Sequence, residues 1–289
     1  MHFDLWRILG NDLPPRHASD QTIKNVEFIL KHEDDFGMTN KRWCLNRIVD
    51  KAKEESLLKL LEGQEITTIP FVCEQFEECP TALEKMQYIT NVNEARNLCI
   101  ALSIEEGADV ILPMDGGMFF RTDGWMQFRL AAEENPEDGY FAFPTWRVKD
   151  EESLLAGDPP QLRCEYRFGK EIAVGLTELQ LAFTPYADKR FNPELMYGKA
   201  DKVELLYRLG LLGLWDRWEP ELRAEVCKDP SEFYGEVKKV GFVSRLPSGN
   251  AEADHNNQLR GAMRAAGIYT LLSEVENKPC CGVKPSCRK

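Results

Sequence analysis

The chain of 289 residues has no apolar run near the ~20 residues that a membrane-spanning helix needs, so no membrane span is expected. Met1–Asn11 holds neither a basic stretch nor a long apolar core, so it does not read as an export signal, and the expected location is cytoplasmic. Positive charge is also scarce: 36 Lys and Arg stand against 48 Asp and Glu, a formal net charge of −12. That balance opposes broad capture of nucleic-acid phosphates and leaves only a local basic face for such a partner. The Gly-x-x-x-x-Gly-Lys-Ser/Thr, Gly-x-Gly-x-x-Gly and Gly-x-Ser-x-Gly patterns are missing. P-loop NTPases, ordinary dinucleotide dehydrogenases and α/β-hydrolases lose support accordingly. There is no Cys-x-x-Cys pair among the nine cysteines, and the cluster Cys280, Cys281, Cys287 has no nearby His, which argues against a close-spaced structural zinc site. Without repeats or a low-complexity linker, residues 1–277 read as one domain, followed by a Cys- and Lys-containing tail, 278–289.

What is present is a chain 43% hydrophobic and rich enough in apolar segments to fold. Phe3–Leu9 reads as a strand that ends at Gly10-Asn11-Asp12-Leu13-Pro14-Pro15. Asp20 is placed to cap a helix with an Ile23, Val26, Ile29, Leu30 stripe. Arg42–Val49 is a second strand, Glu54–Glu62 a short helix stopped by Gly63, and Ile66–Val72 a third strand. Asn91-Val92-Asn93-Glu94 opens a helix that runs to about Gly107, and Asp109–Met114 is a buried strand ending at Asp115-Gly116-Gly117. This alternation calls for an α/β fold, Rossmann-like, with a mostly parallel central sheet flanked by helices and ligands beyond the carboxyl ends of its strands. Further on, a helix from Thr122-Asp123 to about Glu134 precedes strands at Gly139–Trp146, Leu162–Phe168 and Glu178–Thr184, which lack long crossovers and point to additional antiparallel strands in the C-terminal half. Helices are expected again at Asp201–Leu209 and Asp254–Gly267.

The strongest constellation joins Ala95-Arg96-Asn97 on a helix to the apolar strand that ends at Asp115. A carboxylate at such a strand end, beside Gly116-Gly117 that allow close backbone approach, suits a nucleotide diphosphate with a divalent ion. On spacing alone Asp115 serves equally as a turn residue.

Together, residues 5–213 resemble the GT-A nucleotide-sugar glycosyltransferases, the family-2-like branch in particular. Arg42–Asp50 stands at the second-strand position of that family, Ala95-Arg96-Asn97 matches its helix, and Val110–Asp115 its acidic strand, with Gly117 in place of the second Asp of Asp-x-Asp. The resemblance implies a GT-A-like domain with a donor half, 1–120, and an acceptor half, 121–277. It implies a transferase that moves a sugar, most simply from a UDP-sugar, to an acceptor hydroxyl of a glycan, a small molecule or a modified nucleobase. It also implies a divalent metal, Mn or Mg, on Asp115, with His255 as a second ligand, while Gly117 puts metal dependence in question. Asp123 offers another carboxylate or a helix cap. In the stretch Tyr197-Gly198-Lys199-Ala200-Asp201, the resemblance implies that Asp201 is the base of an inverting transfer. A carboxylate at a helix start is stabilised and aimed for that purpose, and a plain N-cap fits the same position.

Donor contacts are expected from Gly10, Asn11, Asp12, Arg16, Asn46, Asp50, Arg96, Asp115, Gly116, Gly117 and Glu178, with Arg47 and His17 close by. Asn11 and Asp12 suit hydrogen bonds to base or ribose, and Arg96 either forks onto a diphosphate or pairs with Glu94 or Asp115. Glu178 and Gln180 on one strand face, with Trp215 and Trp218, are candidates for an acceptor platform, and 245–250 for a lid. Two other readings remain open: a nucleotidyltransferase of the same sheet architecture, and a catalytically inactive nucleotide-sugar binder.

Overall fold

The computed structural model describes residues 1–37, 39–148, 150–156, 163–167, 170–174, 179–198, 201–211, 220–226 and 237–277. The strands are β1 (Phe3–Leu9), β2 (Thr39–Asn46), β3 (Glu65–Ile69), β4 (Val110–Asp115), β5 (Met118–Phe119), β6 (Tyr140–Phe143), β7 (Thr145–Arg147), β8 (Arg163–Arg167), β9 (Lys170–Val174), β10 (Gln180–Phe183), β11 (Lys238–Lys239) and β12 (Val243–Arg245). The helices are α1 (Gln21–His32), α2 (Lys51–Leu60), α3 (Cys73–Glu78), α4 (Ala82–Thr90), α5 (Val92–Glu105), α6 (Thr122–Glu134), α7 (Glu151–Ala156), α8 (Val203–Arg208), α9 (Pro220–Val226), α10 (Ala251–His255) and α11 (Asn257–Asn277). No described helix is long and apolar enough to cross a membrane.

Seven strands form one mixed sheet in the order β11-β6-β10-β4-β1-β2-β3. The β3-β2-β1-β4 half is parallel throughout, and β10 enters antiparallel to both β4 and β6. The α/β class and the mostly parallel, helix-flanked sheet therefore stand, with the antiparallel addition in the later part of the chain. All seven residues of β1 are buried, as a central parallel strand requires. Trp6 and Ile8 pack into the core beneath α5, while Phe3 and Leu5 pack with Trp125 and Phe128 of α6 on the other face. Pro113 in β4 has no amide hydrogen, and the β10 pairing with β4 is confined to Phe183 opposite Ile111.

Several boundaries differ from the sequence expectation for identifiable reasons. The expected strand 139–146 is two strands, because Pro144 cannot donate to a ladder: β6 stays in the main sheet and β7 joins β5 and β12 in a second one. β2 ends at Asn46 where Arg47 adopts a left-handed φ of 48°. Asp20 precedes α1 as expected, but its own φ is 56° and its side chain makes no cap bond. Asp12 does that work from ten residues away, its Oδ1 accepting from the Thr22 amide at 3.2 Å and hydroxyl at 2.7 Å. Helix α11 runs ten residues beyond the expected Gly267. There a Cβ would meet the Leu13 carbonyl oxygen at 2.6 Å, so Gly267 lets the helix lie directly on the loop after β1.

Candidate functional site

In the β3-β2-β1-β4 order the chain proceeds from β1 to one side and returns on the other, so β1 and β4 flank the switch point where α/β sheets open a crevice. A cleft lies there, lined by the loop after β1 (Gly10, Asn11, Asp12, Leu13, Arg16, His17), the end of β4 (Asp115, Gly116, Gly117), Asn46, Tyr197 and the segment after β12 (Arg245, Leu246, Pro247, Ser248). Its volume of about 140 Å³ is close to that of a cavity that takes one benzene-sized ring, so the rest of a larger ligand must extend out of it.

Glycine at 116 is required by the close approach of β4 to β1, since a Cβ there would sit 2.6 Å from Leu9 Cδ2 and 2.9 Å from the Ile8 carbonyl oxygen. Asn11 stitches two strand ends together: its Nδ2 donates to the Arg47 carbonyl at 2.8 Å and its Oδ1 accepts the Val49 amide at 2.9 Å. The left-handed turn at Arg47 is held from its side chain as well, which lies over Tyr88 and pairs with Glu94 at 2.8 Å. Asp12 also pairs with Lys53 at 2.8 Å. His17 Nδ1 accepts the Leu13 amide at 3.1 Å, which fixes the neutral ring with its proton on Nε2.

Burial pulls His17 down to about 4, outweighing the attraction of Asp12, while Arg16, Arg245 and Lys53 add to the shift. A histidine that is neutral when folded takes up its proton on unfolding at about 6.5. The unfolded chain thus binds more protons between about pH 6.5 and 4, and stability falls as pH drops through that window. His17→Gln, compared with the parent by urea melts from pH 7 to 4.5, is expected to flatten that fall.

Asp115 is the hub of the site. Its Oδ1 meets Arg96 Nη2 at 2.6 Å, and its Oδ2 meets Arg245 Nη1 at 3.0 Å and Lys202 Nζ at 3.3 Å. Burial alone would raise this carboxyl, but Lys202, Arg96 and Arg245 together hold it well below the usual range. Arg96 is fully buried over Phe191. Its Nη1 reaches Asn93 Oδ1 at 2.6 Å and Asp201 Oδ2 at 3.1 Å, so one guanidinium bridges Asp115 and Asp201. Asp201 Oδ1 accepts the Gly198 amide at 3.0 Å, and its own carbonyl accepts from Asn93 Nδ2 at 2.6 Å. Asp201 stands before Lys202, the N-cap position of α8, so its side chain holds the Gly198 amide and does not cap the helix.

A second knot sits behind the segment after β12. Asp254 Oδ1 takes Arg16 Nη2 at 2.9 Å and Arg147 Nη1 at 2.8 Å, and its Oδ2 accepts the Ser248 amide at 2.8 Å. Arg16 also donates to the Ser248 hydroxyl.

Gly10, Asn11, Asp12, Arg16, Asn46, Asp115, Gly116 and Gly117 thus converge on one cleft, whereas Arg96 and Asp201 are not among the described residues that line it. Asp50 is an N-cap, its Oδ1 accepting the Ala52 and Lys53 amides at 3.0 and 3.3 Å. Asp123 pairs with Arg121 at 3.2 Å. Gln180 is only 1% exposed, which removes it from any exposed acceptor platform. The expected lid is tied down, with the Leu246 amide on the Gly117 carbonyl at 2.9 Å and the Ser248 carbonyl accepting the Ala18 amide at 3.1 Å. Glu178, Trp215, Trp218 and the tail 278–289 lie outside the described residues, as does the side chain of His255.

Asp115 as placed does not fit the expected divalent ion. Both oxygens already contact cationic nitrogens, and a bare Mn²⁺ or Mg²⁺ there would face three like charges. Lys202, Arg147 and Asp254 were not among the expected site residues, and Arg245 was expected only in a lid, because each reaches the site from a remote segment. The parallel β12–β7 register sets Arg245 beside Arg147, and Arg147 in turn pairs with Asp254 at 2.8 Å.

No model of a known protein family matches the chain, and no curated protein matches it at a significant level.

Proposed function

We propose that the chain is a GT-A-like glycosyltransferase that binds a nucleotide sugar, most simply a UDP-sugar, at the β1/β4 switch point and transfers the sugar to an acceptor hydroxyl with inversion. The observation that carries this reading is the convergence, in one crevice, of the loop after β1, the acidic end of β4 and an unusually close Gly116 turn. Asn11 and Asp12, held rigid by Val49, Arg47, Thr22 and Lys53, flank the space for the nucleoside. In the transfer the bond from the anomeric carbon to the diphosphate oxygen breaks with its electron pair on that oxygen. The acceptor oxygen bonds to the anomeric carbon, and its proton passes to Asp201. Arg245 on the cleft wall, backed by Lys202 and Arg96, offers positive charge to the departing diphosphate. Tyr197 lines the cleft with the Arg264 guanidinium carbon 4.9 Å from its ring centre, and Asp201 holds the amide of the next residue, Gly198, at 3.0 Å.

Thermal melts against a panel of nucleotide sugars, with and without Mn²⁺, test the reading. A UDP-sugar is expected to raise the midpoint where free sugars do not, by about 2.7 kcal/mol of added stability at a hundredfold excess over its Kd. Asp201→Asn is expected to keep that shift and lose sugar transfer, with nucleoside diphosphate as the parent's product. No shift with any nucleotide sugar would end the proposal. The engagement of both Asp201 oxygens favours a second reading, a nucleotide-sugar binder without transfer. Donor binding with no slow donor hydrolysis would select it.

A further inference from the structure

Positive charge gathers at the cleft of a chain whose net charge is −12. Arg96, Lys202 and Arg245 share Asp115, Arg96 also meets Asp201, and Arg16 and Arg147 share Asp254. Among the described residues, five cations thus meet around Asp115, Asp201 and Asp254. Arg16 is buried and the Arg147 side chain is only 7% exposed, where a charge is costly unless it is paired. Burial and the neighbouring Arg245 pull Arg147 down to about 9 against the opposing pull of Asp254, a measure of the crowding. The knots meet at Arg245, which sits in register with Arg147 across β12 and β7 and touches Asp115 on the other side. Arg16 and Arg245 line the same cleft with Asp115, and the Arg245 side chain keeps 17% of its surface exposed.

We infer that this cleft wall is a metal-free subsite for a dianionic diphosphate, in which Arg245 turns from Asp115 to the phosphate oxygens while Arg96 and Lys202 keep hold of Asp115. The assignment of the diphosphate to a nucleotide sugar rests on the function proposed above; the anion site itself does not. A nucleotide sugar carries two negative charges on its diphosphate at neutral pH and offers them to Arg16 and Arg245 on the cleft wall, whereas its one-to-one complex with a divalent ion is neutral. Arginine supplies the planar fork for phosphate oxygens that a hydrated metal would otherwise contact. The ion that the family resemblance implies is thereby replaced by side chains, consistent with the poor fit of Asp115 to a metal.

The test uses the full chain in phosphate-free, low-salt buffer with EDTA, titrated with inorganic pyrophosphate and with a UDP-sugar by calorimetry and thermal melts. Pyrophosphate is expected to bind without metal and to raise the midpoint, and Mn²⁺ is expected to leave its affinity unchanged or weaken it. Arg245→Gln is expected to weaken binding at least tenfold, and Arg245→Lys to recover part of the loss. Lys202→Gln is expected to weaken it less, by leaving Asp115 to compete for Arg245. Circular dichroism confirms that each variant is folded, and the parent's metal-free titration decides the matter should one fail to fold. Absence of pyrophosphate binding in EDTA, or binding that begins only with Mn²⁺, overturns the inference. The two proposals separate cleanly: a UDP-sugar bound only with Mn²⁺ keeps the proposed function and sinks the metal-free site, whereas pyrophosphate bound in EDTA with no nucleotide sugar bound does the reverse.

Discussion

Arg96→Met is expected to lower the stability of the fold by about 3–5 kcal/mol, the usual cost of removing one partner from a buried ion-pair network. The guanidinium is 1% exposed and is held by Asp115 at 2.6 Å, Asn93 at 2.6 Å and Asp201 at 3.1 Å. Burial alone would make this cation less favourable, but Asp115 and then Asp201 more than offset it and hold the proton more tightly than usual. Methionine keeps the apolar stem against Phe191 and removes the charge, so little of the loss comes from packing. Asp115 would retain Lys202 and Arg245, but Asp201 Oδ2 would lose its cation. Urea unfolding should show a lower midpoint at an unchanged slope, the sign of lost stability without a change in the surface exposed. Arg96→Lys keeps the charge but cannot fork to three acceptors, so its cost should fall between parent and Arg96→Met. The double variant Arg96→Met with Asp201→Asn should cost less than the sum of the singles, because the first change strands the carboxylate that the second removes. A loss under about 1 kcal/mol for Arg96→Met would mean that water or Lys202 can take over, and that the bridge does not hold the two carboxylates.

The parallel half of the sheet was legible because its signals are local. Phe3–Leu9 is a mostly apolar run that carries only Asp4 and Arg7 as charges, and Asn91 with Glu94 announces α5, where the Asn91 side chain accepts the Glu94 amide as the spacing requires. An equally local signal at Thr81 and Glu84 went unread, and it opens α4 with a complete capping box. The acidic end of β4 and the loop after β1 were found for the same reason, as the two strand ends that flank the switch point. Of the cations, Arg16 and Arg96 were found but Lys202 and Arg245 were not, since nothing around those two distinguishes them from surface charge. Their meaning comes from contacts spanning 87 and 130 residues to Asp115. Asp50 shows the opposite failure: a carboxylate at a strand exit suits a ligand, but two backbone amides of the next helix claim it first. Polar residues at strand ends serve either caps or ligands, and only the position of the following helix decides between them.

Asp254→Asn is expected to cost a similar amount, about 3–5 kcal/mol, in buffer free of multivalent anions. The side chain is 2% exposed and its two oxygens accept from Arg16, Arg147 and the Ser248 amide, so the variant leaves two buried guanidiniums without their shared anion. An asparagine oxygen can keep one of these bonds, but its Nδ2 turns a donor toward donors. The pH dependence identifies the cause. Burial alone would raise the Asp254 carboxyl, but the Ser248 amide, Arg147 and Arg16 hold it below its ordinary value. A depressed carboxyl stabilises the fold in full above its unfolded value of about 3.9 and loses that contribution as pH falls through the lower folded value. The gap between parent and Asp254→Asn should therefore stay constant from about pH 7 to 5 and close only below about pH 4, apart from the His17 window, which both proteins share. Pyrophosphate should narrow the gap at pH 7 by returning negative charge beside Arg16 and Arg245. A gap that changes between pH 7 and 5, or that pyrophosphate leaves untouched, would place the loss in altered packing of the segment after β12 and not in its charge.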